Sequence, residues 1–213
     1  MKNNILTQQG PLTLLDRLII INDYGLNLDT ATIYISGEIT SALSIALRIK
    51  HDMLVEYYAS INKPLKEINL IINSLGGDAD AIFSTLDFYD ELKKKGVLVN
   101  TKADGSCMSA ATFIVCGGTG KRTATKRCRF MVHELQLAGI GGTHTQTKSL
   151  QVELDRMQSG YYETYAMTTK YRDKKPTKEQ LNKEIALWEK RCAKETYFGA
   201  KEALELGLID EIE

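Results

Sequence analysis

The sequence predicts an α/β fold of stacked β-α units, on three observations. Short β-rich runs alternate with amphipathic stretches through the middle of the chain, the pattern of strands crossed by helices rather than of a sandwich or a bundle. Glycines punctuate the ends of several of these runs, where the chain must turn. With 213 residues, 43% of them hydrophobic, the chain is long enough to bury one core, and neither repeats nor low-complexity tracts interrupt it.

The elements follow in order. Thr32–Ser36 reads as a strand ending at Gly37, followed by a helix over about Ser41–Tyr58 with Ile45, Ile49 and Met53 on one face. Glu67–Asn73 is a nearly continuous apolar strand that ends at Ser74-Leu75-Gly76-Gly77. A helix over about Ala79–Lys94 carries Ile82, Leu86 and Tyr89 at helical spacing and stops at Gly96. Val97–Lys102 is the third strand, and after Gly105 a short apolar helix covers about Ser109–Cys116. Lys121–Thr125 and Arg129–His133 repeat the strand pattern. Beyond them Ala138–Thr143 is glycine-rich and not rigid by itself. A long helix over about Lys148–Tyr171 carries a stripe of Leu150, Leu154, Met157, Tyr161 and Tyr165, the mark of a packing surface. Thr177 is the N-cap of a further helix, and a last helix near Phe198–Ala203 and a strand over Leu208–Ile212 close the chain.

Composition removes several function classes. Lys+Arg and Asp+Glu each total 27, so the chain lacks the basic excess that phosphate backbones attract, and nucleic acid is not an expected partner. Apolar runs such as Leu18–Ile21 are far short of a membrane helix, and no secretory signal pattern opens the sequence, so a soluble protein that stays where it is made is expected. Four cysteines without a CxxC pair or zinc spacing suit a reduced, cytoplasmic compartment and inert thiols.

The three histidines limit the choice of a general base. His51 sits in mid-helix and His144 follows the glycine-rich run, whereas His133 ends an alternating strand, the edge at which α/β folds place their sites. A serine hydroxyl needs such a base, and donors for the oxyanion. Ser109 opens an apolar helix after a glycine turn, which brings its hydroxyl and the free amide of Ala110 to a positive helix end. The bland alternative is a simple helix cap. Gly76-Gly77 lets a carbonyl approach backbone amides with no Cβ in the way. Gly117–Arg122 imitates a phosphate loop but lacks the first glycine, Val115 standing there, and has Arg122 where Ser or Thr is required.

In order, Ser74-Leu75-Gly76-Gly77, Gly105-Ser106-Cys107-Met108-Ser109, Gly120-Lys121-Arg122 and Met131-Val132-His133 resemble the motifs of the Clp protease proteolytic subunit family. Tyr197–Ala203 and Gly207–Asp210 resemble that family's closing helix and strand, so the likeness runs from about Thr32 to the end. It implies a ClpP/crotonase-like fold of stacked β-β-α repeats with a protruding handle helix at about 148–171, and an axial-pore-type segment over residues 1–31. It further implies a serine endopeptidase with Ser109 as nucleophile, His133 as base, Glu195 where the family has aspartate, and the amides of Gly77 and Ala110 as oxyanion hole. Leu75 replaces a proline of the family, and Glu134-Leu135 replace Gln-Pro. Two stacked heptameric rings, peptide and unfolded-protein substrates, no cofactor, and an AAA+ unfoldase as sole user of ATP complete what the resemblance implies. Three other readings stand beside it: a catalytically silent ring subunit, a crotonase-like acyl-CoA enzyme, and a signal-peptide peptidase, which would need a lysine base and a membrane segment.

Overall fold

The computed structural model describes residues 12–136 and 143–213, so the glycine-rich run 138–142 and the first eleven residues of the axial-pore-type segment lie outside the description. The chain forms an α/β fold around one mainly parallel sheet. Leu14–Tyr24 is α1, opened by a Thr13/Asp16 capping box and ended by Gly25 in the left-handed region at φ 58°. Leu26–Asn27 (β1) pairs antiparallel with Thr32–Ser36 (β2). Ile20, Leu26, Leu28 and Ala31 join the common core, so this part of the N-terminal segment is continuous with the main fold.

Leu43–Ser60 is α2, Glu67–Ser74 is β3 and Asp80–Lys94 is α3, each close to its expected place. α2 buries Ser44, Leu47, His51 and Leu54, whereas Ile45 and Ile49 are 62% and 57% exposed. Met53, the third residue of the stripe, is partly buried against the core, so the stripe passes from solvent to core along the helix; periodicity defines an apolar face without saying what covers it.

The third strand decides the architecture. β4 runs over Leu98–Met108 rather than stopping at Lys102, because Gly105, at φ 82°, bends it instead of ending it. Its lower half pairs with Arg122–Ala124 (β5), and its upper half, Ser106–Met108, pairs with Arg129–Val132 (β6). Asn73 supports the bend by accepting the Ser106 amide at 3.2 Å. β6 in turn pairs antiparallel with Thr196–Gly199 (β7), and Glu211–Ile212 (β8) lies beside β5. One strand therefore feeds two strand sets, and its end delivers Ser109.

The helix Ala110–Cys116 (α4) is buried at every residue. His144–Lys170 (α5) starts earlier than expected, at a Thr143/Gln146 capping box. Its first turns are exposed, while Tyr161, Tyr162, Tyr165 and Ala166 are buried, so the expected stripe packs only in its C-terminal half. Tyr165 stacks between Phe113 at 4.0 Å and Trp188 at 4.4 Å, the latter on Lys178–Cys192 (α6), which Thr177 caps as expected. Ala200–Glu205 is α7.

The false phosphate loop has a structural task. Arg122 is 4% exposed, pairs with Asp210, and donates to the carbonyls of Cys116 at 3.0 Å and Thr168 at 2.8 Å. It ties the ends of α4, α5 and the C-terminal segment together. Burial pushes the Asp210 carboxyl up, but the Arg122 hydrogen bonds and the charges of Arg122 and Arg172 outweigh it and hold the group below its ordinary value of 3.8. Among the described residues no helix is long and apolar enough to cross a membrane.

Candidate active site

Ser109 stands in the turn from β4 to α4 at φ 52°, ψ −126°, a conformation that costs a non-glycine residue about 1–3 kcal/mol. Its amide donates to the Met131 carbonyl at 2.8 Å, which pins the turn to β6. His133 follows β6 directly. The β4/β6 register pairs Met108 with Met131, so the next residues of both chains emerge at the same sheet edge. Ser109 Oγ and His133 Nε2 are hydrogen-bonded at 2.7 Å. With the ring proton on Nδ1, Nε2 accepts from the hydroxyl, the orientation in which an imidazole takes a serine proton.

The glycine turn after β3 closes against this pair. Gly76 lies at φ 105°, and a Cβ there would come within 2.7 Å of Ser109 Cβ and 2.8 Å of the Met108 carbonyl. Gly77, at φ 149°, has no room for a Cβ because the Ile39 carbonyl occupies that space. Ile39 bridges the turn, donating to the Gly76 carbonyl at 2.9 Å and accepting from the Asp78 amide at 2.7 Å. In a parallel bridge those two bonds use the residues flanking Gly77, which leaves its own N–H free. Ala110 opens α4, so its amide has no carbonyl one helical turn earlier. Among the described residues, two donors without a hydrogen-bond partner therefore stand at the site of Ser109.

Gly77, Ser109, Ala110, His133 and Glu195 all border one cavity of about 680 Å³. Its apolar lining comes from Ile82, Phe113, Met131, Tyr161 and Tyr165, and carboxylates of Glu38, Asp78, Glu134 and Glu195 stand among its bordering residues. The Tyr161 hydroxyl donates to the Ala79 carbonyl at 2.9 Å, and Tyr165 shares a 2.6 Å hydrogen bond with Thr112. Burial raises the Tyr165 phenol well above its ordinary value. Both rings are fixed as cavity wall.

The Glu195 carboxylate makes no hydrogen bond to His133 in this arrangement. The β6/β7 ladder pairs Val132 with Thr196, so the next antiparallel pair would place Glu195 opposite His133. The Glu195 carboxylate instead accepts from the Tyr197 hydroxyl at 2.9 Å. His133 Nδ1 is buried and finds no partner among the described residues, Glu134 included. The longer side chain turns to the neighbour two residues on, which strand alternation puts on the same face.

Sequence reasoning missed Gln158, whose side-chain oxygen accepts the Leu135 amide at 2.6 Å. This bond links α5 to the segment leaving His133, and it uses an N–H that a proline at that position would lack. It missed Tyr197 as well, for which period-two alternation from Glu195 was an available signal. His51 packs edge-on against Phe88 at 5.8 Å, and His144 is exposed at the start of α5.

Fold and cavity together define an α/β protein with a hydrogen-bonded Ser-His pair at the edge of its sheet. The chain belongs to the Clp protease family, whose model matches residues 19–213. The match begins ahead of Thr32, in agreement with the docking of α1 and β1 on the core. The chain is similar to ATP-dependent Clp protease proteolytic subunit 1 of Protochlamydia amoebophila (strain UWE25), 29% identical over 187 residues that span 87% of this chain and 81% of that protein. It is similar to proteolytic subunit 3 of Rhodococcus jostii (strain RHA1), 31% identical over 85% of this chain and 80% of that protein. Proteolytic subunit 1 of Chlamydia muridarum (strain MoPn / Nigg) is 29% identical over 87% of both chains. Family membership makes the protein a peptidase-type hydrolase.

Proposed function

We propose that the chain is a serine endopeptidase subunit that hydrolyses peptides and unfolded proteins. The 2.7 Å bond between Ser109 Oγ and His133 Nε2 carries this reading. Ser109 attacks the substrate carbonyl as His133 takes its proton, and the amides of Gly77 and Ala110 receive the charge that develops on oxygen. His133 returns the proton to the leaving amine, and water then releases the acyl group by the same route. Met131, Phe113 and Ile82 offer an apolar wall to the side chain beside the scissile bond. Glu195 acts as third member once its carboxylate reaches Nδ1.

The names of the relatives, ATP-dependent and proteolytic subunit, support an oligomeric protease that works with an ATP-using partner; the resemblance to the family extends this proposal to two heptameric rings fed by an AAA+ unfoldase. No cofactor is required by the steps above. Free, buried cysteines suit a cytoplasmic setting. The unpartnered Nδ1 favours a second reading, a catalytically silent ring subunit.

One experiment separates the two. Intact mass after reaction with a fluorophosphonate is expected to show one adduct on wild type and none on Ser109→Ala. An assembled wild type that takes no label would establish the silent subunit.

A further inference from the structure

The Glu195 carboxylate faces the correct strand position yet is engaged by Tyr197. Both side chains are exposed, Tyr197 to 59%, so neither is locked by packing. The bond to Glu195, followed by burial, raises the phenol's ionisation above its ordinary 10.0, which keeps the hydroxyl a donor at neutral pH. Opposite them His133 Nδ1 is buried with no acceptor among the described residues. A buried, unpaired N–H is unfavourable, so an acceptor within reach would be drawn to it. Met131, the ladder partner of Tyr197, borders the cavity, which places the phenol beside the site rather than inside it.

Resting on the peptidase reading, we infer that Tyr197 is a positioning residue: its hydroxyl holds the Glu195 carboxylate off His133 Nδ1, so the resting chain carries a Ser-His pair. The triad forms when this hydrogen bond is exchanged for one from Nδ1. No covalent bond changes in that exchange. Glutamate suits the task because its additional methylene gives the carboxylate two resting points, the phenol and the imidazole.

Tyr197→Phe removes the competing donor and keeps the ring. Peptide hydrolysis by the assembled protein should show kcat raised about fivefold, the equivalent of one ordinary hydrogen bond, with KM unchanged. In a Glu195→Gln background the same substitution should give no gain. A fall in kcat, no change, or a gain that persists with Glu195→Gln overturns the role of Tyr197. Failure of wild type and variants alike to take a fluorophosphonate overturns the peptidase reading and this role with it, whereas labelled wild type without a kcat gain overturns only the latter.

Discussion

Gly76 shows how closely the site is built at the scale of single residues. A Cβ there would come within 2.7 Å of Ser109 Cβ, closer than a methyl group fits, and within 3.2 Å of the Ala110 amide nitrogen, and its positive φ adds strain for any side chain. Gly76→Ala should therefore displace the nucleophile and one oxyanion donor together. A loss of kcat of about 10²–10³-fold is expected, as for removal of one oxyanion donor, and circular dichroism should show the fold retained. At the same scale, His133 and Ser109 were legible because few histidines exist and each candidate ends or begins an element. The orientation of Glu195 was not, because a side chain's choice between two acceptable partners depends on distances that only the folded β6/β7 ladder sets.

Between elements, two contacts tie the site to the rest of the fold. The first joins α5 to the chain leaving His133 through Gln158 and Leu135. Gln158→Leu leaves the part-buried Leu135 amide without its acceptor, at a cost of about 1 kcal/mol, and should loosen His133. Lower kcat at unchanged KM, with a reduced urea midpoint, is the expected result. The second is the Arg122 clamp on Asp210. Because the Asp210 carboxyl is held below its unfolded value, its contribution is present above about pH 4 and is lost as pH falls through the lower folded value. Denaturation midpoints measured from pH 6 down to pH 2 should fall for wild type and stay flatter in this window for Asp210→Asn. At neutral pH that variant should be about 1–3 kcal/mol less stable, less than a fully buried pair would cost because the Asp210 side chain is 37% exposed.

For the whole molecule, the outward stripe of α2 is the informative surface. Ile45, Ile49 and Val55 are exposed on α2, and Leu14, Leu15 and Leu18 are exposed on α1. Apolar faces of this kind are covered in assemblies. Under the ring proposal, light scattering should give a mass fourteen times that of the 23.8 kDa chain. Ile45→Glu combined with Ile49→Glu should yield a smaller species with an unchanged circular dichroism spectrum. A full-size assembly from that variant would show that α2 lies outside the subunit contacts.

While the N-terminal helix and strand and the strand Thr196–Gly199 were not read from it, the sequence by itself determined the order of strands and helices from Thr32 to His133, the Ser109 and His133 pair, and the glycine turn beside them. These are local properties, since apolar periodicity, glycine at positive φ and residue type at an element's end are written in neighbouring residues. Tertiary structure alone decided that β4 passes through Gly105 to serve two strand sets, that α2 turns Ile45 and Ile49 outward, and that Glu195 bonds to Tyr197 while His133 Nδ1 finds no partner among the described residues. Each of these depends on which distant surfaces meet, and burial and hydrogen-bond choice are settled between elements rather than along the chain.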